Sequence, residues 1–192
     1  MFMSQIRPAV SMMVIFTVIT GLAYPLAITA VGQVALPAQA NGSLVIKDGK
    51  TIGSGLIGQN FSGNAYFWPR PSVTADAPYN AAASSGSNLG TTSAALKDRV
   101  AADIKHLNES GMTGAVPADA ATASGSGLDP DITPAFADGQ VSRIAQARGL
   151  TEDEVRQVLA KQLKSRLLGF IGEPRINVLE INLALDGVSA GQ

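Results

Sequence analysis

The segment from Ala9 to Gln33 contains no charged residue and is mostly apolar. About 20 apolar residues are enough to cross a bilayer as a helix, so this segment is long enough to span a membrane. A signal peptide is the alternative, because Arg7 precedes the segment and Ala38, Gln39 and Ala40 form an A-x-A cleavage pattern. The apolar part of a signal peptide usually has only ~7–15 residues. The length therefore favours an uncleaved transmembrane helix over residues 9–33.

The positive charges near this segment predict its orientation. Arg7 and the amino terminus precede the helix, and no charged residue follows it until Lys47. Because positively charged flanks stay in the cytoplasm, residues 1–8 are predicted to be cytoplasmic. Residues 34–43 are predicted to be a linker. Residues 44–192 then form one domain outside the cytoplasm, long enough to hold its own core.

A proline and several small residues distinguish the segment from a plain anchor. Pro25 lacks an amide hydrogen and its ring collides with the carbonyl of Gly21, which then needs another hydrogen-bond donor. Small side chains at spacings of three and four let a second helix approach closely. The sequence leaves open a self-sufficient kinked anchor and a helix packed on other membrane helices. The residues predicted for such packing are Thr20, Gly21, Ala23, Pro25, Ala27 and Ala30.

Composition limits the chemistry of the domain. A net charge of −1 argues against a basic nucleic-acid surface, and the lack of cysteine excludes disulfides and thiol nucleophiles. The single histidine, His106, is predicted to be solvated on the polar side of a helix, so no Ser-His-Asp arrangement can be assembled. Asp129 and Asp131 are interpreted as a turn before a helix start. The sequence therefore predicts neither a catalytic site nor a metal site.

The first part of the domain is predicted to be a hairpin followed by a long loop region. Asp48 and Gly49, between two apolar runs, predict a β-hairpin turn. Residues 57–92 are rich in Gly, Ser, Asn and Pro and are predicted to be irregular. Large apolar rings favour an ordered conformation for this region. The aromatic residues concerned are Phe61, Tyr66, Phe67, Trp68 and Tyr79.

The second part is predicted to contain three helices and a final strand, which makes the domain α+β. The first helix begins near Ser93, with Leu96, Val100, Ile104 and Leu107 on one face, and a loop follows over residues 112–126. The second runs from an N-cap at Thr133 to Gly149. The third begins with a capping box at Thr151, and its buried stripe is Val155, Val158, Leu159 and Leu163. Alternation of Leu179, Ile181, Leu183 and Leu185 predicts the strand.

Several motifs, taken together and in this order, resemble a known family. They are Thr20–Leu26, Tyr66–Ser72, Tyr79–Gly90, Ser124–Ile132 and Gly172–Leu185. Their order and spacing resemble the C subunit of the Kdp potassium-transporting ATPase over nearly the whole chain. Each motif alone is modest, whereas five in order are highly specific.

The resemblance implies a subunit of a potassium import complex in the bacterial inner membrane. The partners implied are a potassium-channel-like subunit, a P-type ATPase subunit that hydrolyses ATP, a small fourth subunit and membrane lipid. The chain itself is implied to be a non-catalytic accessory subunit that stabilises assembly. It is also implied to act as a catalytic chaperone that raises the ATP affinity of the ATPase subunit. The chain has no cofactor of its own, while ATP, Mg²⁺ and K⁺ are used by the assembled complex.

The resemblance also assigns candidate site residues. The glycine-rich stretch resembles the part of the family linked to nucleotide, namely Ser124, Gly125, Ser126, Gly127 and Asp129. A second set is predicted to form a clasp within the domain or a subunit contact, namely Phe67, Trp68, Arg70, Ser84 and Asn88. The sequence departs from the family at Asp131, where histidine is usual, and near Thr91, where proline is usual. The predicted orientation also conflicts with direct ATP contact, because ATP is scarce outside the cell.

Two other functions are weighed against this one. The first is a cleaved, secreted protein that binds a small molecule, whose mature chain would start at Asn41. The second is an unrecognised hydrolase, which would need a pocket with a perturbed acid.

Overall fold

The computed structural model describes residues 2–112 and 114–189. Five residues lie outside the described part of the chain. They are Met1 of the predicted N-terminal segment, Thr113 of the predicted 112–126 loop, and residues 190–192 at the end of the predicted domain. The chain begins with one long helix made of α1 (Phe2–Val18), a π-helical turn (Ile19–Ala23) and α2 (Tyr24–Ala35). In the described part of the chain, this is the one helix with the length and composition to cross a membrane. It begins before and ends after the predicted 9–33 segment.

The π-helical turn lies directly before Pro25 and adapts the helix to that residue. The amide of Tyr24 donates to the carbonyl of Ile19, five residues back, and Thr20 Oγ1 donates to the carbonyl of Phe16 at 2.7 Å. Such a turn holds one extra residue, which rotates α1 relative to α2 by about 100°. A line of small residues through α2 therefore does not continue straight into α1.

The predicted hairpin is confirmed. After a short helix α3 (Pro37–Ala40), strands β1 (Leu44–Lys47) and β2 (Lys50–Ser54) pair in antiparallel register. Asp48 and Gly49 both have positive φ, at 52° and 74°. These values fit a two-residue type I′ turn, which the Asp-Gly pair favours.

The rest of the described domain combines a long irregular stretch before α4 with six helices and two short strands, so its fold is a mixture of helices and strands. The helices are α4 (Ala94–Glu109), α5 (Ala118–Ala121), α6 (Pro134–Asp138), α7 (Val141–Arg148), α8 (Glu152–Gln162) and α9 (Val178–Ser189). A second antiparallel pair consists of β3 (Asp131–Ile132) and β4 (Ile176–Asn177). Phe136, Ile144, Val155, Ile181 and Leu185 are fully buried where α6 to α9 meet.

The local signals at helix ends are confirmed, while one helix is divided. Thr133 accepts a hydrogen bond from the amide of Phe136, and Gly149 ends α7 in the left-handed conformation. Thr151 forms a complete capping box with Glu154. The prediction of a single helix from Thr133 to Gly149 is wrong, because the helix is interrupted at Gly139 and Gln140. The side chain of Gln140 is buried and bonds the backbone of another segment, which explains the break.

The predicted final strand is wrong, since those residues form α9. The buried positions are Val178, Leu179, Ile181, Asn182 and Leu185, most of which follow a helical spacing of three and four. Leu179 and Leu183 fit both a strand and a helix pattern, so alternation alone misleads here. Burial against α8 and β4 selects the helix.

Three smaller predictions also differ from the structure. Leu163 is 39% exposed and lies past the end of α8, so it does not extend the buried stripe. The loop predicted for residues 112–126 contains α5. Asp131 belongs to β3 instead of a turn that leads straight into a helix.

Candidate functional site

We call residues 65–70 the aromatic segment. Two side-chain amides fix this segment to the core. Asn182 Oδ1 accepts from the amide of Phe67 at 2.8 Å, and Asn182 Nδ2 donates to the carbonyl of Phe67 at 3.0 Å. Gln140 makes the same pair of bonds to Trp68, at 2.7 and 3.3 Å. Backbone groups of an irregular segment need such partners when they are buried. The side-chain amides of Asn182 and Gln140 therefore supply the hydrogen bonds that a neighbouring strand would otherwise provide.

Trp68 lies between two side chains from different helices. The ring of His106 stacks on it with centroids 5.2 Å apart, and the guanidinium of Arg143 lies 3.8 Å from its ring centroid. Trp68 Nε1 donates to the carbonyl of Gly63 at 3.0 Å. Burial lowers the pKa of Arg143 to about 10, which still leaves this side chain charged at neutral pH. His106 is exposed as predicted, yet it contacts the segment through this stacking.

Arg70 connects the aromatic segment to the predicted nucleotide stretch. Arg70 Nη1 donates to Asp129 Oδ2 at 2.7 Å, and Arg70 Nη2 donates to the carbonyl of Thr122 at 3.4 Å. Both side chains of this ion pair are partly buried. Asp131 forms a separate ion pair with Arg175, at 2.9 Å. The two aspartates thus have different arginine partners.

The two glycine- and serine-rich loops lie directly against each other. The amide of Ser85 and the hydroxyl of Ser84 donate to the carbonyl of Ser126, at 3.0 and 3.1 Å. Ser72 Oγ donates to the carbonyl of Gly127 at 2.7 Å. A Cβ atom on Gly86 would lie 2.8 Å from the carbonyl oxygen of Gly125, so the backbones approach as closely as glycine permits.

These contacts make Gly127 essential to the loop pair. Its φ is +69°, and a Cβ atom there would lie 2.7 Å from Thr74 Cγ2 and 2.8 Å from the Ser85 carbonyl oxygen. We expect Gly127→Ala to lower the free energy of unfolding by about 1–3 kcal/mol, because alanine combines backbone strain with this clash. Urea unfolding of the full chain in detergent measures the change.

Gly125→Ala is the matched control for this prediction. Gly125 has no φ in the left-handed region, and no atom lies within 4 Å of its added Cβ. The control should leave stability within about 0.5 kcal/mol of the wild-type value. Equal stability of the two variants would contradict the close packing of the loops.

A groove of about 650 Å³ lies beside the predicted nucleotide stretch. Among its described lining residues, Arg70 is the one cationic side chain, and it is paired with Asp129. The amides of Gly127 and Leu128 donate to the hydroxyls of Ser124 and Ser126 and so point to partners within the loop. A phosphate site normally offers free backbone amides and unpaired positive charge. The groove therefore offers little that a triphosphate would bind.

A second cleft, of about 480 Å³, separates α4 from the aromatic segment. Three buried polar atoms that line it lack a hydrogen-bond partner in the described chain, namely Arg70 Nε, Arg99 Nε and Asp103 Oδ2. Burial raises the pKa of Asp103, although Arg99 and His106 act in the opposite direction. In the described residues, no group of three or more His, Cys, Asp or Glu side chains could hold a metal ion.

The structure brings some of the predicted site residues together and separates others. Arg70, Ser84 and the 124–129 stretch meet, whereas Phe67 and Trp68 belong to the buried core. Asn88 is exposed with a φ of +51°. The six residues predicted for membrane packing all lie exposed along the long N-terminal helix. Their roles remain predictions.

Sequence reasoning missed the residues that hold the segment in place. Gln140 bonds its backbone from the break before α7, Arg148 from α7 and Asn182 from α9. The single available signal was Asn182, a polar residue inside an apolar run. A polar residue among buried neighbours usually marks a specific hydrogen bond.

Comparison with known proteins finds sequence similarity to one subunit of a potassium-transporting ATPase. The family model described as the K⁺-transporting ATPase, c chain, matches residues 6–187. The matched range includes most of the apolar helix as well as the domain. A potassium-transporting ATPase KdpC subunit of Allorhizobium ampelinum is 54% identical over 190 residues, which cover 99% of this chain and 100% of the relative.

KdpC subunits from other bacteria are similar to this chain over nearly its whole length. The KdpC subunit of Rhodopseudomonas palustris is 54% identical, with 97% of this chain and 98% of the relative covered. That of Sorangium cellulosum is 53% identical, with 96% and 98% covered. None of these similarities supports a cleaved, secreted binding protein.

Proposed function

Because this chain belongs to the family of K⁺-transporting ATPase c chains, we propose that it is a non-catalytic accessory subunit that stabilises an ATP-driven potassium import complex. The observation that carries the proposal is the match over residues 6–187, which includes most of the apolar helix and of the domain in one matched range.

The proposed topology is a single-pass protein of the bacterial inner membrane. The helix Met3–Ala35 has the required length, and its residues are exposed in the isolated chain. Arg7 favours a cytoplasmic N-terminus and a periplasmic domain. The exposed apolar surface of the helix is available for lipid and for partner helices, including the small residues from Thr20 to Ala30.

The proposed partners are a potassium-channel-like subunit, a P-type ATPase subunit and a small fourth subunit. ATP, Mg²⁺ and K⁺ would be handled by these partners, with no cofactor of the chain's own. Phe67, Trp68 and Arg70 would act as a clasp that shapes the domain surface for assembly. The Arg70–Asp129 ion pair supports this role, because it links the clasp to the glycine-rich loops.

A higher ATP affinity of the ATPase subunit is the second part of the proposal. In our view the chain raises this affinity through contact with its partners instead of through nucleotide bound at residues 124–129. Two features support this version. The groove at that stretch offers a single cation that is already paired, and the predicted orientation puts the domain outside the cytoplasm.

Purification of the complex tests the proposal. A tagged chain extracted from membranes should co-purify with the P-type ATPase and channel-like subunits. Complex assembled without the chain should be recovered in lower yield and should need more ATP for half-maximal hydrolysis. A mature chain that starts at Asn41 and is free of pump subunits would contradict the proposal.

An Asp129→Asn variant separates the two versions of the ATP effect. If nucleotide bound at the stretch, loss of this charge beside Arg70 would change the affinity of the purified full chain for ATP. We expect no ATP binding by the isolated chain in either form and a wild-type KM for ATP in the assembled complex.

A further inference from the structure

The connection between α8 and β4 is a hairpin that extends away from the core and ends in apolar residues. Residues 164 and 175 exchange two backbone hydrogen bonds of 2.9 and 3.0 Å, and residues 167 and 171 exchange two more of 2.9 Å. We call residues 164–175 the hairpin and residues 167–171 its apolar tip. Because both ends join core elements, the hairpin is held at a fixed position.

The apolar tip is exposed to an unusual degree. Leu167, Leu168 and Phe170 are 67%, 75% and 73% exposed, and Ile171 is 48% exposed. Single exposed apolar side chains are ordinary, whereas four within five residues form a contiguous patch. Such a patch is typical of a surface that another molecule covers.

Backbone strain supports the same conclusion. Leu168 has a φ of +54°, a conformation that glycine and asparagine adopt readily and leucine does not. Leucine at this position lowers the stability of the domain and also exposes an apolar side chain to water. Neither effect helps folding, so the residue is better explained by a contact outside the domain.

The charges of the hairpin favour a protein partner over the lipid surface. Between residues 161 and 175 there are four basic residues and one acidic residue. Three of these basic side chains are paired within the domain, Arg166 with Glu173, Lys164 with Glu180 and Arg175 with Asp131. Segments that bind anionic lipid keep their basic charges available for phosphates. An apolar tip whose neighbouring basic side chains are already paired instead fits an apolar pocket on a protein.

A series of hydrogen bonds connects the elements at the base of the hairpin with the segment that follows the membrane helix. Lys164 Nζ bonds Glu180 Oε2 at 2.6 Å, at the start of α9. Asn177 Nδ2 donates to the carbonyl of Gly55 at 2.9 Å, and the amide of Gly55 donates to the carbonyl of Ser43 at 2.9 Å. Ser43 precedes β1 and follows the anchor closely. The base of the hairpin is therefore bonded to the same part of the domain that receives the chain from the anchor.

We propose that the apolar tip at residues 167–171 inserts into an apolar socket on another membrane subunit of the complex. This inference rests on the proposed function, because it requires a partner subunit. The tip then provides a second attachment besides the anchor helix. Phe170 is its central contact, as large aromatic side chains usually dominate interfaces.

Cysteine accessibility tests the insertion, and the chain is suited to it because it contains no cysteine. Leu167→Cys places one thiol at the tip and keeps Phe170, and Ala102→Cys places a control thiol on the exposed face of α4. Labelling with a charged maleimide is compared for the full chain in detergent, the full chain alone in nanodiscs of phosphatidylethanolamine and phosphatidylglycerol, and the whole complex in the same nanodiscs. We expect the labelling rate at position 167 to fall about tenfold or more only in the sample that contains the whole complex, as for a contact worth ~1.4 kcal/mol.

Each other outcome overturns the inference. Equal labelling in all three samples would mean that the tip stays exposed. Slower labelling in nanodiscs without partners would mean that lipid covers the tip. If the unaltered chain fails to co-purify with pump subunits, the proposed function fails first and the inference falls with it.

A Leu168→Asn variant separates docking from a structural role. Asparagine accepts the left-handed conformation, so the chain alone should unfold at the same urea concentration as wild type or a higher one. The yield of co-purified complex should fall severalfold. Leu56→Asn is the control, because Leu56 is 62% exposed and lies outside the tip. An unchanged yield for Leu168→Asn, or a parallel loss of domain stability, would contradict docking.

Discussion

Replacement of Trp68 by alanine is expected to destabilise the domain by about 3–5 kcal/mol, the usual result for a large buried aromatic side chain. Trp68 is 9% exposed and lies between His106 and Arg143, so the truncation leaves a cavity that joins two helices to the irregular segment. Urea unfolding followed by far-UV circular dichroism measures the loss, because Trp68 is the single tryptophan. The amount of assembled complex should fall as well.

His106→Ala is the control for this experiment. It removes the stacked ring without opening a buried cavity, since His106 is exposed. Its effect should be about 1 kcal/mol or less. Normal stability and normal assembly of the Trp68→Ala variant would refute the clasp.

Replacement of Asn182 by leucine is expected to cost about 2–5 kcal/mol, because it leaves two buried backbone groups unpaired. Asn182 is 1% exposed, and its amide bonds both the N–H and the carbonyl of Phe67. Leucine has a similar volume but can make neither bond. Hydrogen exchange at the amide of Phe67 should accelerate in the variant, which reports the loss locally.

Asn108→Leu provides the comparison for Asn182→Leu. Asn108 is exposed on α4, so its replacement should change stability by no more than about 0.5 kcal/mol. If Asn182→Leu were equally mild and the Phe67 amide kept its protection from exchange, the two hydrogen bonds from Asn182 would not be a major support of the segment.

Local signals predicted those elements whose residues act on near neighbours. The turn at Asp48 and Gly49, the N-cap at Thr133 and the capping box at Thr151 each involve hydrogen bonds or dihedral preferences within a few residues. The final helix was mistaken for a strand, because Leu179, Ile181, Leu183 and Leu185 alternate. A run that fits two periods is decided by what it packs against.

The family motifs supplied the candidate residues, whereas only the structure supplied their geometry. The motifs named the 84–88 and 124–129 stretches, and the structure places them in contact. The motifs gave no sign that Arg70 would be neutralised by Asp129 or that the loop amides would bond within the loop. These facts depend on side-chain positions that spacing along the chain does not specify. They are also the facts that argue against a triphosphate at this stretch.

The sequence by itself determined the apolar helix, the hairpin turn and the helix caps, because length, hydrophobicity and backbone preference act locally. Tertiary structure alone decided that Asn182 holds Phe67 from 115 positions away and that α9 is a helix. It also decided that residues 167–171 remain exposed while equally apolar neighbours are buried. The physical reason is that burial and hydrogen-bond satisfaction are properties of the folded chain as a whole, and each side chain competes for a limited interior.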